Sequence, residues 1–215
     1  MEGVELAAWF AGSYLVGSIP FGLLFGKVFF GVDIREKGSG NLGATNAARI
    51  LGSGRKGATV VFFTVVFLLD AAKGFGPAFA AQQLPETIFG MPAGLFAGAG
   101  AVAGHMASIY LKFKGGKGVA VSTGVLAALV PWPLLIAAGV WIAGVAVTRY
   151  VSVGSLSASA ALPVSVAAWG YDPWILGACV ALALAVVVKH RPNIVRLARG
   201  EENRIGRSRK KQIHP

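Results

Sequence analysis

Charged residues are scarce in this chain, making up only 13% of 215 residues, where a soluble domain carries about a quarter. Cysteine is limited to Cys179, which lies in an apolar segment and cannot form an internal disulfide. The N-terminus lacks the basic start and small-residue cleavage site of a secretory signal, so we expect its first apolar run to be retained. No low-complexity linker or short repeat divides the chain. With 55% hydrophobic residues and a mean hydropathy of +0.65, these absences indicate one membrane domain over residues 1–200 and a basic tail over 201–215.

Long uncharged runs predict an all-α protein with seven transmembrane helices. Crossing the hydrocarbon core takes roughly 20 apolar residues, and backbone groups there must be paired internally, which favours helices. Pro131-Trp132-Pro133 divides one long run, and Tyr171-Asp172-Pro173 divides another, because Pro cannot continue a helix without losing a hydrogen bond and clashing. The predicted spans are 4–26, 57–81, 91–111, 118–131, 134–148, 152–170 and 173–188. The two spans between 118 and 148 reach only about 21–22 Å, so extension into the polar flanks and a re-entrant pair both stay open.

The net charge of +11 is explained by sidedness rather than by a nucleic-acid partner. Nineteen of the 20 Lys and Arg residues fall in alternate connections or in the C-terminal segment, and Lys73 alone lies inside an apolar run. The opposite turns hold Glu2, Glu5, Glu86 and Asp172 and no basic residue. By the positive-inside rule, we expect the N-terminus outside and the C-terminus in the cytoplasm.

The first long connection contains a glycine-rich loop that is suited to wrapping a phosphate. Its glycines allow tight turns and close approach of backbone N–H groups. Uncharged donors alternate with them, and Arg35 and Arg49 flank the loop. The residues in question are Gly38, Ser39, Gly40, Asn41, Gly43, Thr45 and Asn46.

A second candidate anion site, Lys112-Phe-Lys-Gly-Gly-Lys-Gly118, stands just before a predicted helix. Free N–H groups and the helix dipole favour an anion there, and Lys117 would add a full charge. It is not a nucleotide P-loop, because Gly118 stands where that motif needs Ser or Thr. An anchor for lipid headgroups explains Lys112 and Lys114 better than it explains Gly115, Gly116, Lys117 and Gly118.

Two further pairs have the i, i+3 spacing that puts side chains on one helix face. Ser152 and Ser155 begin one span, although hydroxyls there are often only caps. His190 and Asn193 follow the last span, and a His can serve as acid, base or phosphate donor.

Ionisable residues also occur inside the apolar runs, where they usually face the bundle interior with a partner. Asp70 and Lys73 are three residues apart, and we expect a structural or supporting ion pair. For His105 we expect helix packing.

Four motifs in order carry a resemblance to a known family: Gly17-Ser-Ile-Pro-Phe-Gly22, Gly38 to Asn46, Gly115-Gly-Lys-Gly-Val119 and His190-Arg-Pro-Asn193. From about residue 12 to residue 200, the chain resembles the bacterial acyl-phosphate:glycerol-3-phosphate acyltransferases. The resemblance implies that one substrate site is lined by Ser39, Arg49, Lys117, Ser155, His190 and Asn193. It further implies a multi-pass protein of the bacterial inner membrane with its active site facing the cytoplasm.

The chemistry implied by the resemblance is acyl transfer from an acyl phosphate to glycerol 3-phosphate, which gives lysophosphatidic acid at the first acylation of phospholipid synthesis. The donor is a mixed anhydride, so placement and charge neutralisation carry most of the catalysis. Arg49 and Lys117 are expected to bind phosphates, and Ser39, Ser155 and Asn193 to add neutral hydrogen bonds. The base is either His190 or a substrate phosphate. We expect no cofactor, metal or acyl carrier protein, membrane lipids as neighbours, and a monomer.

Rival functions fit the sequence less well. Acyltransferases of the soluble type use a His with an Asp five residues later, where this chain has Tyr110 after His105 and Val195 after His190. Metal-dependent phosphatidyl-alcohol transferases need clustered Asp residues, which are widely separated here. A transporter of an anionic metabolite is the main alternative, but its motifs should reach the bilayer midplane. A lipid-binding scaffold explains the tail and not the neutral Gly/Ser/Asn loop.

Overall fold

The computed structural model describes residues 2–54, 57–84, 87–88 and 90–206, which form a helical bundle with one small β-hairpin. Arg55, Lys56, Glu86 and the predicted tail from residue 207 onward lie outside the described residues. In the hairpin, β1 (Thr87–Ile88) pairs antiparallel with β2 (Met91–Pro92). The described helices are α1 (Glu2–Ser18), α2 (Phe21–Phe30), α3 (Ala44–Leu51), α4 (Ala58–Gln82), α5 (Ala93–Met106), a 3₁₀ turn (Ile109–Leu111), α6 (Val119–Leu129), α7 (Pro131–Thr148), α8 (Val151–Ala168), α9 (Pro173–Lys189) and α10 (Arg191–Ala198).

The helix breaks predicted at proline are confirmed. Pro131 and Pro173 each begin a new helix, α7 and α9, where a missing N–H and a fixed φ are tolerated. Asp172 completes the second break, since its side chain accepts the N–H of Trp174 at 2.7 Å as an N-cap. Each of the two long apolar runs is therefore folded as two successive helices, α6 and α7 in the first and α8 and α9 in the second.

Within the described residues, five helical segments are long and apolar enough to cross a membrane. The number is six if α9 and α10, which meet at 55°, form one span. The first of these segments, Ala7–Phe30, is interrupted at Ile19-Pro20, a break that the sequence analysis did not predict. The 11 residues of α6 reach only about 16 Å, so the predicted count of seven is not established by helix length.

Close backbone contacts between helices depend on glycine at particular positions. A Cβ on Gly104 would collide with the carbonyl oxygen of Tyr14, where α5 crosses α1. A Cβ on Gly124 would collide with the carbonyl oxygen of Ala71, where α6 crosses α4. Small residues let helices approach closely within a membrane. One group of helices thus contains α1, α4, α5 and α6, while α7, α8 and α9 pack in sequence beside it.

The C-terminal end of α5 is held by four tertiary hydrogen bonds. The last carbonyls of a helix have no partner within it and need one elsewhere. Four consecutive carbonyls here accept from three other parts of the chain: Gly104 from Ser18 Oγ at 3.2 Å, His105 from Gly116 N at 3.0 Å, Met106 from Lys189 Nζ at 2.7 Å, and Ala107 from Tyr14 Oη at 2.6 Å. This helix end therefore joins the first span, the glycine loop before α6, and the end of α9.

The predicted pairing of Asp70 with Lys73 is present in α4. Lys73 Nζ lies 2.7 Å from Asp70 Oδ1, and both side chains are only 2% exposed. Lys73 also donates to the carbonyl of Ile19 at 2.6 Å, at the break between α1 and α2. His105 Nδ1 lies 3.9 Å from the same carboxylate oxygen. The ion pair thus attaches the break in the first span, at Ile19, to α4 in the core of the bundle.

We predict that Lys73→Met destabilises the protein by about 3–5 kcal/mol, because it leaves the carboxylate of Asp70 buried without a counter-charge. The double variant Asp70→Asn/Lys73→Met should recover most of this loss, because neither buried group is then charged. The measurement is thermal unfolding of the purified variants in detergent. A double variant no more stable than Lys73→Met would contradict the structural role of the pair.

Candidate functional site

A polar pocket lies where the connections α2–α3, α5–α6, α7–α8 and α9–α10 meet. Three of the four motifs, Gly38 to Asn46, Gly115 to Val119 and His190 to Asn193, contribute to it, together with the Ser152/Ser155 pair. The fourth motif, Gly17 to Gly22, lies outside its lining, at the break between α1 and α2. The predicted site residues in its lining are Ser39, Asn41, Gly43, Thr45, Asn46, Arg49, Asp70, Lys117, Gly118, Ser155, His190 and Asn193. The three motifs and the serine pair therefore lie at the same end of the bundle and share one cavity.

Four predicted glycines lie outside the lining and shape the loops behind it. Gly38 and Gly40 adopt φ of +63° and +69°, in the left-handed region that favours glycine. A Cβ on Gly115 would collide with the carbonyl of His105, and one on Gly116 with the His105 ring. Lys73 also lies outside the lining. These glycines allow the two loops to fold tightly.

Asn46 organises the first loop through its side-chain amide. Its Nδ2 donates to the carbonyls of Ile34 and Asn41, both at 2.9 Å, and more weakly to Lys37 at 3.3 Å. Its Oδ1 accepts the N–H of Ser39 at 2.9 Å. Asn46 is only 1% exposed. Since its hydrogen-bonding groups are already used within the loop, its contribution to a ligand is the shape of the loop.

Three helix N-termini open onto the pocket. The lining includes the first residues of α3, α6 and α8, and within the described residues no side chain caps any of these N-termini. The first N–H groups of a helix have no partner within it, and the helix dipole places partial positive charge there. At α6 the approach depends on Gly118, whose φ is +85°. The pocket is therefore a strong anion site even before its cations are considered.

Two cations, Arg49 and Lys117, stand among these N-termini. The half-buried guanidinium of Arg49 makes no hydrogen bond to any part of the chain that the structure describes, so its donors are available. Lys117 donates to Asn193 Oδ1. Burial, with the nearby charges of Arg196 and Arg49, lowers the pKa of Lys117 to about 8, although Glu202 opposes the shift. The two negative charges of an incoming phosphate dianion would balance the positive charges of Arg49 and Lys117.

Arg35, the other arginine expected beside the loop, is engaged elsewhere. Its Nε and terminal nitrogen donate to the carboxylate of Asp33 at 2.9 and 2.6 Å. These hydrogen bonds hold the pKa of Asp33 well below its usual range. Arg35 is also absent from the lining of the pocket, so Arg49 is the arginine that the fold presents to a ligand.

Glu202 is a pocket residue that the sequence analysis missed. Its Oε1 accepts from Asn193 Nδ2 at 2.7 Å and from Ser152 Oγ at 3.3 Å. Its Oε2 accepts from Arg196 Nε at 2.7 Å. The sequence places it in the basic tail, but the chain turns back after α10 and Ile205 N donates to the Arg149 carbonyl at 2.9 Å. An acidic residue in an otherwise basic segment was the available signal.

His190 is held in one orientation at the end of α9. Its Nδ1 lies 2.8 Å from the Val186 carbonyl, which can only accept, so Nδ1 carries the proton and Nε2 has a free lone pair. Burial lowers the pKa of His190 to about 4, and the neighbouring charge of Lys117 acts in the same direction. In the absence of ligand, the ring is neutral at pH 7 and able to accept a proton.

The loop before α6 turns back into the bundle after the 3₁₀ turn. Gly116 N donates to the His105 carbonyl, which brings the loop more than one helical turn below Leu111, the end of that span. Irregular backbone at membrane depth is tolerated where it is buried in protein or lines a cavity. His105, expected to serve in packing, lies against this loop and also reaches the pocket lining. Lys117 is thus presented deep in the site.

An apolar groove continues from the pocket along the helices. Its volume of about 320 Å³ is within the range of small-molecule sites. The residues that line both cavities are Phe63, Phe67, Val119, Trp141 and Ser155. Trp141 Nε1 donates to Ser155 Oγ at 3.3 Å, which fixes the indole at the junction. In the sequence these side chains could not be distinguished from lipid-facing positions.

Comparison with known proteins gives a consistent family. The family model described as glycerol-3-phosphate acyltransferase matches residues 7–200. Two curated relatives carry the same name: one from Geobacter sulfurreducens is 46% identical, with 90% of this chain and 94% of the relative covered. The other, from Trichlorobacter lovleyi, is 44% identical, with 91% and 95% covered.

Solved structures of similar fold point to the same family. PlsY, described as an integral membrane glycerol 3-phosphate acyltransferase, was solved in a glycerol 3-phosphate form. It is 37% identical, has a TM-score of 0.84, and the match covers 94% of this chain and 96% of PlsY. Its lysophosphatidic acid form matches with a TM-score of 0.82 at 36% identity, over the same shares of the two chains. The resemblance found in the sequence is confirmed: the chain belongs to the glycerol-3-phosphate acyltransferase family.

Proposed function

We propose that this protein transfers a fatty acyl group from an acyl phosphate to the 1-hydroxyl of glycerol 3-phosphate. The products are lysophosphatidic acid and inorganic phosphate, at the first acylation of phospholipid synthesis. Family membership supports glycerol 3-phosphate as the acceptor. The observation that carries the choice of donor is the direct continuity between the cationic pocket and the apolar groove.

The pocket provides positive charge for two phosphate groups. N–H groups at the N-termini of α3, α6 and α8 surround it, and Arg49 and Lys117 add full charges. Hydrogen bonds from charged donors to phosphate are shorter and stronger than neutral ones. Ser39 and Ser155 line the same cavity and add neutral donors. We assign the phosphates of both substrates to this pocket.

The groove provides for the acyl chain of the donor. We place the phosphate of the donor among the N–H groups at Gly118 and its acyl chain beside Phe63 and Phe67. The carbonyl group of the donor then falls at the junction of the two cavities. The acceptor hydroxyl enters from the polar side. Holding both reactants in this geometry converts a bimolecular reaction into one within a complex and accounts for a large share of the barrier reduction.

The reaction needs no covalent intermediate with the protein. The 1-hydroxyl oxygen of glycerol 3-phosphate forms an ester bond to the acyl carbon, and the bond between that carbon and the phosphate oxygen breaks. Negative charge develops on the carbonyl oxygen, where backbone N–H groups at the start of α6 can stabilise it. Phosphate leaves, and its charge is balanced by Arg49 and Lys117.

The hydroxyl proton has two available acceptors. One is Nε2 of His190, which has a free lone pair and lies in the pocket lining. The other is an oxygen of the donor phosphate itself. The lowered pKa of His190 makes its imidazole a weak base without ligand, and phosphate dianions nearby would raise that pKa by stabilising the imidazolium.

We further propose that the chain crosses the inner membrane seven times, with the N-terminus outside and the pocket facing the cytoplasm. Seven crossings put the four connections that line the pocket, α2–α3, α5–α6, α7–α8 and α9–α10, on one side of the membrane. This agrees with their shared pocket. In this arrangement α6 is short because Lys117 is recessed towards the acyl groove. Residues 201–215 form a cytoplasmic segment, and one chain supplies the whole site, which supports a monomer.

The donor is tested by incubating the purified protein with glycerol 3-phosphate and either palmitoyl phosphate or palmitoyl coenzyme A. We expect lysophosphatidic acid, detected by mass spectrometry, from palmitoyl phosphate alone. Product only from the coenzyme A thioester would reassign the donor. The absence of product from both donors would favour transport of a phosphorylated metabolite.

Removal of either central cation should abolish most acyl transfer. We predict that Lys117→Ala and Arg49→Ala each lower kcat/KM by about 10²–10³-fold, a loss of the size seen when one transition-state donor is removed. The matched control is Lys37→Ala, which removes an exposed charge from the same glycine loop. Near-normal turnover by both pocket variants would contradict the assignment of the site.

The lowered pKa of Lys117 predicts a loss of activity in mild alkali. Above about pH 8 the free protein loses the ammonium proton, and with it a phosphate-binding charge, so kcat/KM for glycerol 3-phosphate should fall. In Lys117→Arg the guanidinium stays charged, and the alkaline limb should move to higher pH. Rate profiles from pH 6 to 10 test this. An identical limb in both proteins would show that another group titrates.

A further inference from the structure

The pocket is assembled from two groups of helices that are joined by few polar contacts beside it. Lys117 stands on the loop between α5 and α6, whereas His190 and Asn193 stand at the end of α9, which packs chiefly on α8. We call the end of α5 with the loop after it the first segment, and the end of α9 with the start of α10 the second segment. Among the described residues, two side-chain hydrogen bonds join these two segments. One runs from Lys117 Nζ to Asn193 Oδ1, and the other from Lys189 Nζ to the Met106 carbonyl at 2.7 Å.

Substrate binding affects these two hydrogen bonds differently. Lys117 lines the pocket, and a phosphate dianion is a stronger acceptor for its ammonium than the amide oxygen of Asn193. The bond between Lys117 and Asn193 is therefore open to competition. Lys189 and Met106 lie outside the lining, so a ligand does not compete for their bond. That bond can hold the two segments together while the pocket is occupied.

Met106 is a suitable point of attachment for both segments. It is the last residue of α5, where the helix dipole favours a cation such as the ammonium of Lys189. The adjacent His105 carbonyl accepts the N–H of Gly116 at 3.0 Å. The Met106 side chain also packs against Gly118, where a Cβ would collide with its terminal methyl group. One helix end therefore fixes the loop of Lys117 and, through Lys189, the start of the His190–Asn193 segment.

We propose that Lys189 is a positioning residue that keeps His190 and Asn193 in register with the Gly115–Lys117 loop when phosphate occupies the pocket. It acts through the Met106 carbonyl and does not touch the substrates. In its kinetic consequence, this inference rests on the proposed function. Its structural consequence can be tested without turnover.

The kinetic test compares Lys189→Met, which keeps an unbranched stem but cannot donate, with Lys189→Arg, which restores a cationic donor. We expect kcat of Lys189→Met to fall roughly 10- to 100-fold with a smaller change in KM, because a displacement of about 1 Å can cost 100-fold. Lys189→Arg should recover to within a few-fold of the wild type. The control Arg199→Met removes an exposed charge from the end of α10 and should leave kcat unchanged.

The structural test is simplified by the fact that the chain has a single native cysteine, which one substitution removes. In a Cys179→Ser background, spin labels are placed at the exposed positions Lys114 and Arg191, one on each segment. Electron paramagnetic resonance then measures the distance between the labels, with and without inorganic phosphate. With Lys189 present, we expect a narrow distribution in both conditions. With Lys189→Met, the distribution should broaden when phosphate is added.

The outcomes separate this inference from the proposed function. A narrow distribution in Lys189→Met with phosphate would overturn the positioning role, whether or not the wild type transfers acyl groups. A kcat of Lys189→Met equal to that of the wild type would also overturn it. Equal losses of kcat in Lys189→Met and Lys189→Arg would overturn it as well. If Lys189→Met does not fold, Lys189→Gln, whose amide is too short to make the contact, replaces it in both measurements.

Discussion

The attraction of phosphate for unpaired backbone N–H groups and two partly buried cations is the interaction on which this structure depends. In the described part of the chain three helices, α3, α6 and α8, begin at the pocket without side-chain caps, and each leaves donors that a soluble protein would satisfy with Ser, Asp or water. Lys117 is buried enough for its pKa to fall to about 8. Such a cluster is unfavourable when empty and favourable around phosphate. In the proposed function, its position beside an apolar groove lets a water-soluble acceptor and a lipid-like donor meet.

Irregular features of the bundle serve this arrangement. The break at Ile19-Pro20 exposes a carbonyl, which Lys73 satisfies with Asp70 as its counter-charge. The early end of α5 allows the glycine loop to fold back to the level of His105, and α6 is short as a result. A regular seven-helix bundle would place Lys117 at the water interface, away from the groove. In the proposed function, the departures from helical regularity therefore position the charges at the depth assigned to the acyl carbonyl.

Local chemistry made part of this structure predictable. Pro131 and Pro173 each begin a new helix, where a missing N–H is tolerated, and a loop dense in Gly, Ser and Asn has few uses other than close approach to a ligand. Long-range contacts were not predictable in the same way. Glu202 enters the pocket only because the chain reverses after α10, and Trp141 is distinguished from a lipid-facing residue only by the groove beside it. Asn46 was expected to bind phosphate, but its amide holds the loop together, a role that depends on carbonyls up to 12 residues away.

The central claim is that both phosphorylated reactants occupy one pocket at the same time. It is tested most directly by a structure of the protein with glycerol 3-phosphate and a phosphonate analogue of the acyl phosphate, in which a CH2 group replaces the bridging oxygen so that the acyl carbon has no leaving group. We predict that both phosphorus groups contact the cluster around Arg49 and Lys117, with the chain in the groove and the acceptor hydroxyl about 3–3.5 Å from the acyl carbon. A phosphonate bound outside this pocket, or an acceptor held far from the acyl carbon, would contradict the account.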